Sequence, residues 1–137
     1  MLRHASRIAT GILLLASVGV ASADPRSDYL MHCAGCHLAD ARGLPPYVPP
    51  LAGALGRMVA SAAGRDYIAR VPGAAQAPIS DAELAAVFNW LLLEFNRSSL
   101  PVNFRPLTSE EVGQSRKRVL ADPMKRREQL WPGSDTG

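Results

Sequence analysis

The sequence predicts a small all-α fold, three or four core helices followed by a helical C-terminal extension, and three observations carry that prediction. Ser80-Asp81-Ala82-Glu83 is a capping box, with serine at the N-cap and glutamate at N3 satisfying each other's amides. Behind it Leu84, Val87, Phe88, Leu91, Leu92 and Phe95 fall on one wide helical stripe, which predicts a helix from Asp81 to about Asn96. Further helix starts stand at Asp24-Pro25, Thr108-Ser109-Glu110-Glu111 and Asp122-Pro123, while no alternating β-branched run surrounds the two cysteines.

The chain opens with basic Arg3, His4 and Arg7, an apolar run from Ile8 to Val20, and Ala21-Ser22-Ala23, which has the form of a cleavage site. Residues 1–23 therefore read as a secretory signal peptide, too short in its apolar part to span a membrane, and the expected compartment is the periplasm. Removing them takes Arg3 and Arg7 from the fifteen basic side chains, leaving thirteen against twelve acidic ones. So balanced a charge favours neither nucleic acid nor a membrane surface as partner. The rest is one small domain, read as a core over 24–100 and an extension over 101–137.

A first helix is expected from about Arg26 into Cys33, delivering Cys33-Ala34-Gly35-Cys36-His37. Two cysteines three apart also suit a redox disulfide or half of a zinc site. The first needs a βαβ pattern that is missing; the second needs a further ligand pair, yet His32 and His37 flank the cysteines too closely to close a tetrahedron and His4 lies in the segment expected to be removed. C-x-x-C followed at once by histidine is instead the c-type haem attachment pattern: two thiols on one turn reach two vinyl groups as thioethers, and His37 ligates iron. One covalent haem c is the predicted cofactor. It also supplies apolar surface to a chain with only eight aromatic residues. His32 is expected at the surface or in a supporting position beside the haem.

Four prolines within residues 45–50 exclude helix and central strand, and Leu44, Tyr47, Val48 and Leu51 among them suggest a loop laid over a haem face. Pro49-Pro50-Leu51-Ala52-Gly53, then Gly56-Arg57, extend the pattern begun by the cysteines. Together these residues resemble the class I cytochromes c. The resemblance implies that the Pro49 carbonyl accepts the Nδ1 hydrogen of His37 and that Arg57 sits by a haem propionate. A fixed acceptor for a ligating imidazole and a bidentate cation for a carboxylate are also what the chemistry asks for.

A short helix is expected over Gly64–Arg70, ended by Pro72-Gly73, with Tyr67 packing over the haem, bonding a propionate, or serving as a core tyrosine. The family normally carries Met-Pro ahead of its last core helix, and here Val71-Pro72 stands in that place, followed by a small-residue loop to Ile79. Valine cannot ligate iron. The distal position therefore reads first as lacking a strong protein ligand, second as taken by Met58, and third by Met124.

In the extension Val102 and Phe104 are expected on the core, with helices over about Ser109–Leu120 and Pro123–Leu130. Arg116, Lys117, Arg118, Lys125, Arg126 and Arg127 read as a solvated face or as a docking surface for an acidic redox partner. Nothing offers a nucleophile, paired carboxylates or a second metal site. The function expected is therefore one-electron transfer rather than enzymatic catalysis, with a periplasmic dehydrogenase or oxidase as partner and no stable membrane insertion. The alternative is a haem protein whose open distal site binds a small ligand or does chemistry on it.

Overall fold

The computed structural model describes residues 24–132; the expected signal peptide lies outside them. The described chain is all-α, as its capping signals predict, with α1 Pro25–His32, α2 Ala34–His37, α3 Leu55–Met58, α4 Ala62–Arg70, α5 Pro72–Ala75, α6 Asp81–Phe95, a 3-10 turn at Arg97–Ser99, α7 Ser109–Arg116 and α8 Pro123–Leu130. None of these helices is long and apolar enough to cross a membrane.

Local chemistry sets the boundaries. Asp24 caps α1 by accepting from the Ser27 amide, with Pro25 at the first helical position, where its missing N–H costs nothing. In α6 both halves of the capping box form: the Ser80 amide donates to Glu83 Oε2 at 2.7 Å, and the Glu83 amide to Ser80 Oγ at 3.2 Å. Helix α4 begins at Ala62, before the expected Gly64, because Ser61 caps it through the Gly64 amide. Pro72 ends α4 as expected, by holding Val71 extended, but it also opens α5 inside the stretch read as loop.

The apolar stripe of α6 is the spine of the core. Leu84, Val87, Phe88, Leu91 and Leu92 are buried, and α1 crosses this helix with Tyr29 fully buried. Trp90 packs between Tyr29, tilted at 45°, and Phe95, edge-to-face at 90°, with ring centroids 5.4 Å from each. Asn96 closes the far end of α6: its Oδ1 accepts from the Gly56 amide at 3.2 Å and its Nδ2 donates to Leu91 O at 3.0 Å.

The extension is part of this packing, for Leu107 and Val112 belong to the same buried cluster and α7 lies against both α4 and α6. Val102, expected on the core, is fully exposed: the Phe104 amide bonds back to Pro101 O, which puts Val102 at the tip of a turn and Phe104 against the core. Helix α7 stops at Arg116, short of the expected Leu120, and the Leu120 amide bonds to Arg70 O instead.

The basic cluster is not one solvated face. The Arg116 side chain, 13% exposed, donates to the carbonyls of Ala75, Ala77 and Ile79 and to Asp81. Arg118 pairs with Asp66, and Arg127 is buried. Lys117, Arg118, Lys125 and, in part, Arg126 keep the outward position expected of all six.

Candidate haem site

Cys33, Cys36 and His37 stand on a single turn. Cys33 ends α1, and its carbonyl accepts from the amides of Cys36 and His37 at 3.2 and 3.0 Å, which starts α2. Both thiols are free and sit at one rim of a cavity of about 420 Å³. Its walls are apolar, formed by Leu55 and Met58 of α3, Ile68 of α4, and Leu84, Phe88 and Leu91 of α6, among others.

His37 Nδ1 lies 3.1 Å from Pro49 O. A carbonyl can only accept, so Nδ1 carries the hydrogen and Nε2 is left with its lone pair. Burial pushes the imidazole below its ordinary pKa, and the Pro49 bond opposes that only in part, so the ring is held in the neutral form a metal needs. The Cys33 thiol is pushed up by burial and by the neighbouring Asp28 carboxylate, which keeps it protonated until it reacts.

The loop from Leu38 to Leu51 is fixed by contacts invisible in the motif. Ala41 is fully buried in the left-handed region at φ 61°, and its carbonyl accepts from the amides of Leu51 and Ala52 at 2.8 and 2.9 Å. Gly43 also has positive φ, 65°, and a Cβ there would lie 2.5 Å from Val48 O and 2.7 Å from Pro49 O. Its bare Cα lets the carbonyl that holds His37 sit where it does. Sequence reading passed over Gly43; the one signal was a glycine between the attachment motif and the proline run.

The remaining expected site residues separate. Met58 is buried and lines the cavity. Tyr67 lines it too, but its hydroxyl donates to Pro123 O at 3.1 Å and its ring meets Trp131 edge-on. Arg57 is exposed and is not among the cavity-lining residues. The periodicity of α3 explains this, since Leu55 and Met58, three apart, take the inner face and turn Arg57 outward. The extension supplies Pro123 and Arg127, which were not foreseen there, and Met124, the third reading of the distal position; all three, on α8, complete the wall beside Tyr67. Met124 is 41% exposed at the cavity edge and Arg127 only 4% exposed.

An apolar cavity with two thiols and a neutral imidazole on one rim fits a covalently held haem. No family model matches the chain. It is 31% identical over 132 residues to a cytochrome c-552 of Thermus thermophilus, an alignment covering 83% of this chain and 88% of that protein. Another cytochrome c-552 from the same organism is 31% identical over 106 residues, covering 64% of this chain and 81% of its own length. With the attachment motif, the all-helical fold and relatives matched over most of their length, the chain belongs to the class I c-type cytochromes, electron carriers with covalently bound haem c.

Proposed function

We propose that the protein is an exported, periplasmic carrier of single electrons, with Cys33 and Cys36 as the thioether positions and His37 as the axial ligand. Haem c bound here supplies iron that cycles between the ferric and ferrous states. The residues around it have separate tasks. Pro49 fixes the ring plane and tautomer of His37, and Tyr67 and the α6 stripe exclude water. The observation that carries the reading is the bond between His37 and Pro49 at the mouth of an apolar cavity, because it leaves a neutral imidazole nitrogen presented to a metal. Cys36 and Tyr47 are exposed, so the attachment edge lies at the surface, within reach of a redox partner such as a periplasmic dehydrogenase or oxidase. Residues 1–23 serve, in this reading, as the export signal.

The sixth iron position separates this reading from a second. In the first, Met58, or failing it Met124, supplies a thioether; both line the cavity. In the second, favoured by Val71 where the family has methionine, the position is open and small molecules bind. Absorption spectra of the ferrous holoprotein with and without carbon monoxide test the two. The carrier reading expects reversible one-electron cycling, a low-spin spectrum and slow binding of carbon monoxide, accelerated by Met58→Ala. Rapid binding by the unaltered protein, with no reversible cycling, would sink it.

A further inference from the structure

Among the described residues, the groups lining the cavity that can carry charge are His32, Cys33, Cys36, His37, Tyr47, Tyr67 and Arg127, and no aspartate or glutamate lines it. Arg127 is the one permanent charge among them. A guanidinium cannot escape burial by losing its proton, so a position only 4% exposed sets a fixed positive charge into the cavity wall. The position is held from both ends. Asp122 caps α8 through the Lys125 amide at 2.9 Å, Pro123 O accepts from Tyr67, and the Trp131 amide donates to Arg127 O at 2.8 Å while the Trp131 ring packs on Tyr67. Tyr67 thus clamps α8 before and after Arg127.

Haem brings two carboxylates into any cavity it fills, and a planar fork is the side chain that binds a carboxylate through two parallel bonds. The other shielded arginines lie away from the cavity wall: Arg65 binds Glu111 and the carbonyls of Arg105 and Pro106, and Arg116 binds the loop after α5. We infer that Arg127, from the C-terminal extension, is the haem propionate's cationic partner, in the role that family resemblance gives to Arg57. The inference rests on haem c occupying this cavity. It makes α8 a haem-binding element and Arg127 a residue that tunes the potential, since a cation beside the carboxylate keeps it ionised and favours the less positive, ferrous state.

The test is the midpoint potential of purified holoprotein, followed against pH, for the unaltered chain and for Arg127→Gln, Arg127→Lys and Arg57→Gln. Arg127→Gln should lower the equilibrium constant for reduction about tenfold, about 59 mV for one electron. It should also make the potential depend on pH across the neutral range, because the propionate no longer stays ionised in both redox states. Arg127→Lys should recover most of the drop, and Arg57→Gln should leave potential and pH profile unchanged. An Arg127→Gln holoprotein with unaltered potential and a flat profile overturns the inference, as does a tenfold drop in Arg57→Gln. Should Arg127→Gln fail to assemble, infrared redox-difference spectra of the unaltered protein decide. No protonated propionate band at neutral pH is the expected result, and its presence overturns the assignment. Failure of the haem reading itself would look different, as purified chain without covalent haem by mass.

Discussion

Two walls of the cavity are built from the chain in opposite ways. The attachment wall is one run, Cys33 to Pro49, in which His37 and its acceptor are twelve positions apart. The wall beside Tyr67 joins α4 to α8, and the bond that ties them, Tyr67 hydroxyl to Pro123 O, spans fifty-six positions. In the first, residues close in sequence bring the chemistry together. In the second, only folding does, and it makes pocket wall out of residues whose local pattern says solvent.

The largest expected effect comes from removing what both walls surround. Without haem the cavity loses the packing contacts its apolar walls would make with the ring, in a domain whose whole stability is about 5–15 kcal/mol. A Cys33→Ser, Cys36→Ser chain should therefore show no cooperative thermal transition by circular dichroism. A sharp transition with full helicity would mean that the walls stand without their cofactor.

The next change strikes the attachment wall alone. Gly43→Ala forces a side chain into a left-handed position against Val48 O and Pro49 O, at a cost of about 3 kcal/mol. Because Pro49 O holds His37, the absorption spectrum should shift together with the denaturation midpoint. Lost stability with an unaltered spectrum would show that the loop yields elsewhere.

Away from both walls the two readouts should part. Arg116→Ala frees three carbonyls in the α5–α6 connection and one carboxylate oxygen, and should cost about 2 to 3 kcal/mol in urea denaturation. The haem spectrum should stay as it was, because none of these groups reaches the attachment turn. A spectral shift as large as that of Gly43→Ala would show that this support reaches the attachment turn.

The smallest effect belongs to the ion pair that fastens α7 to α4. The bond from Arg65, followed by its charge, holds the Glu111 carboxyl below its ordinary pKa against the opposing effect of burial. The unfolded chain thus binds the proton more tightly. The stability this contributes is present above the ordinary glutamate range and is lost as pH falls through the depressed folded value. Glu111→Gln should cost about 1 kcal/mol at neutral pH, a modest figure because the carboxylate is 34% exposed, and should flatten the acid limb of the stability curve. An acid limb as steep as the parent's would place the proton uptake elsewhere; Asp66, also held below its ordinary value, is then the group to replace.

What was legible in the sequence follows the same division. The capping box of α6, the turn carrying Cys33 to His37 and the Pro49 acceptor are short-range patterns, and each fell where its spacing put it. Arg57 did not, because two neighbours on a four-residue helix claimed the inner face. Arg116 and Arg127 read as solvated because a run of basic residues usually is, and burying either depends on partners tens of positions away. Gly43 was hidden for another reason: glycine announces freedom of backbone, and its use here is the absence of a methyl group beside a carbonyl.

The bond from Tyr67 to Pro123 also sets an order in time. In a chain made from its N-terminus, Cys33 and Cys36 are complete before Pro123 and Trp131 exist. Until the last helix arrives, the cavity lacks the wall that Pro123, Met124 and Arg127 supply. A chain cut before Asp122 should therefore leave Tyr67 and that side of the apolar cavity open to water.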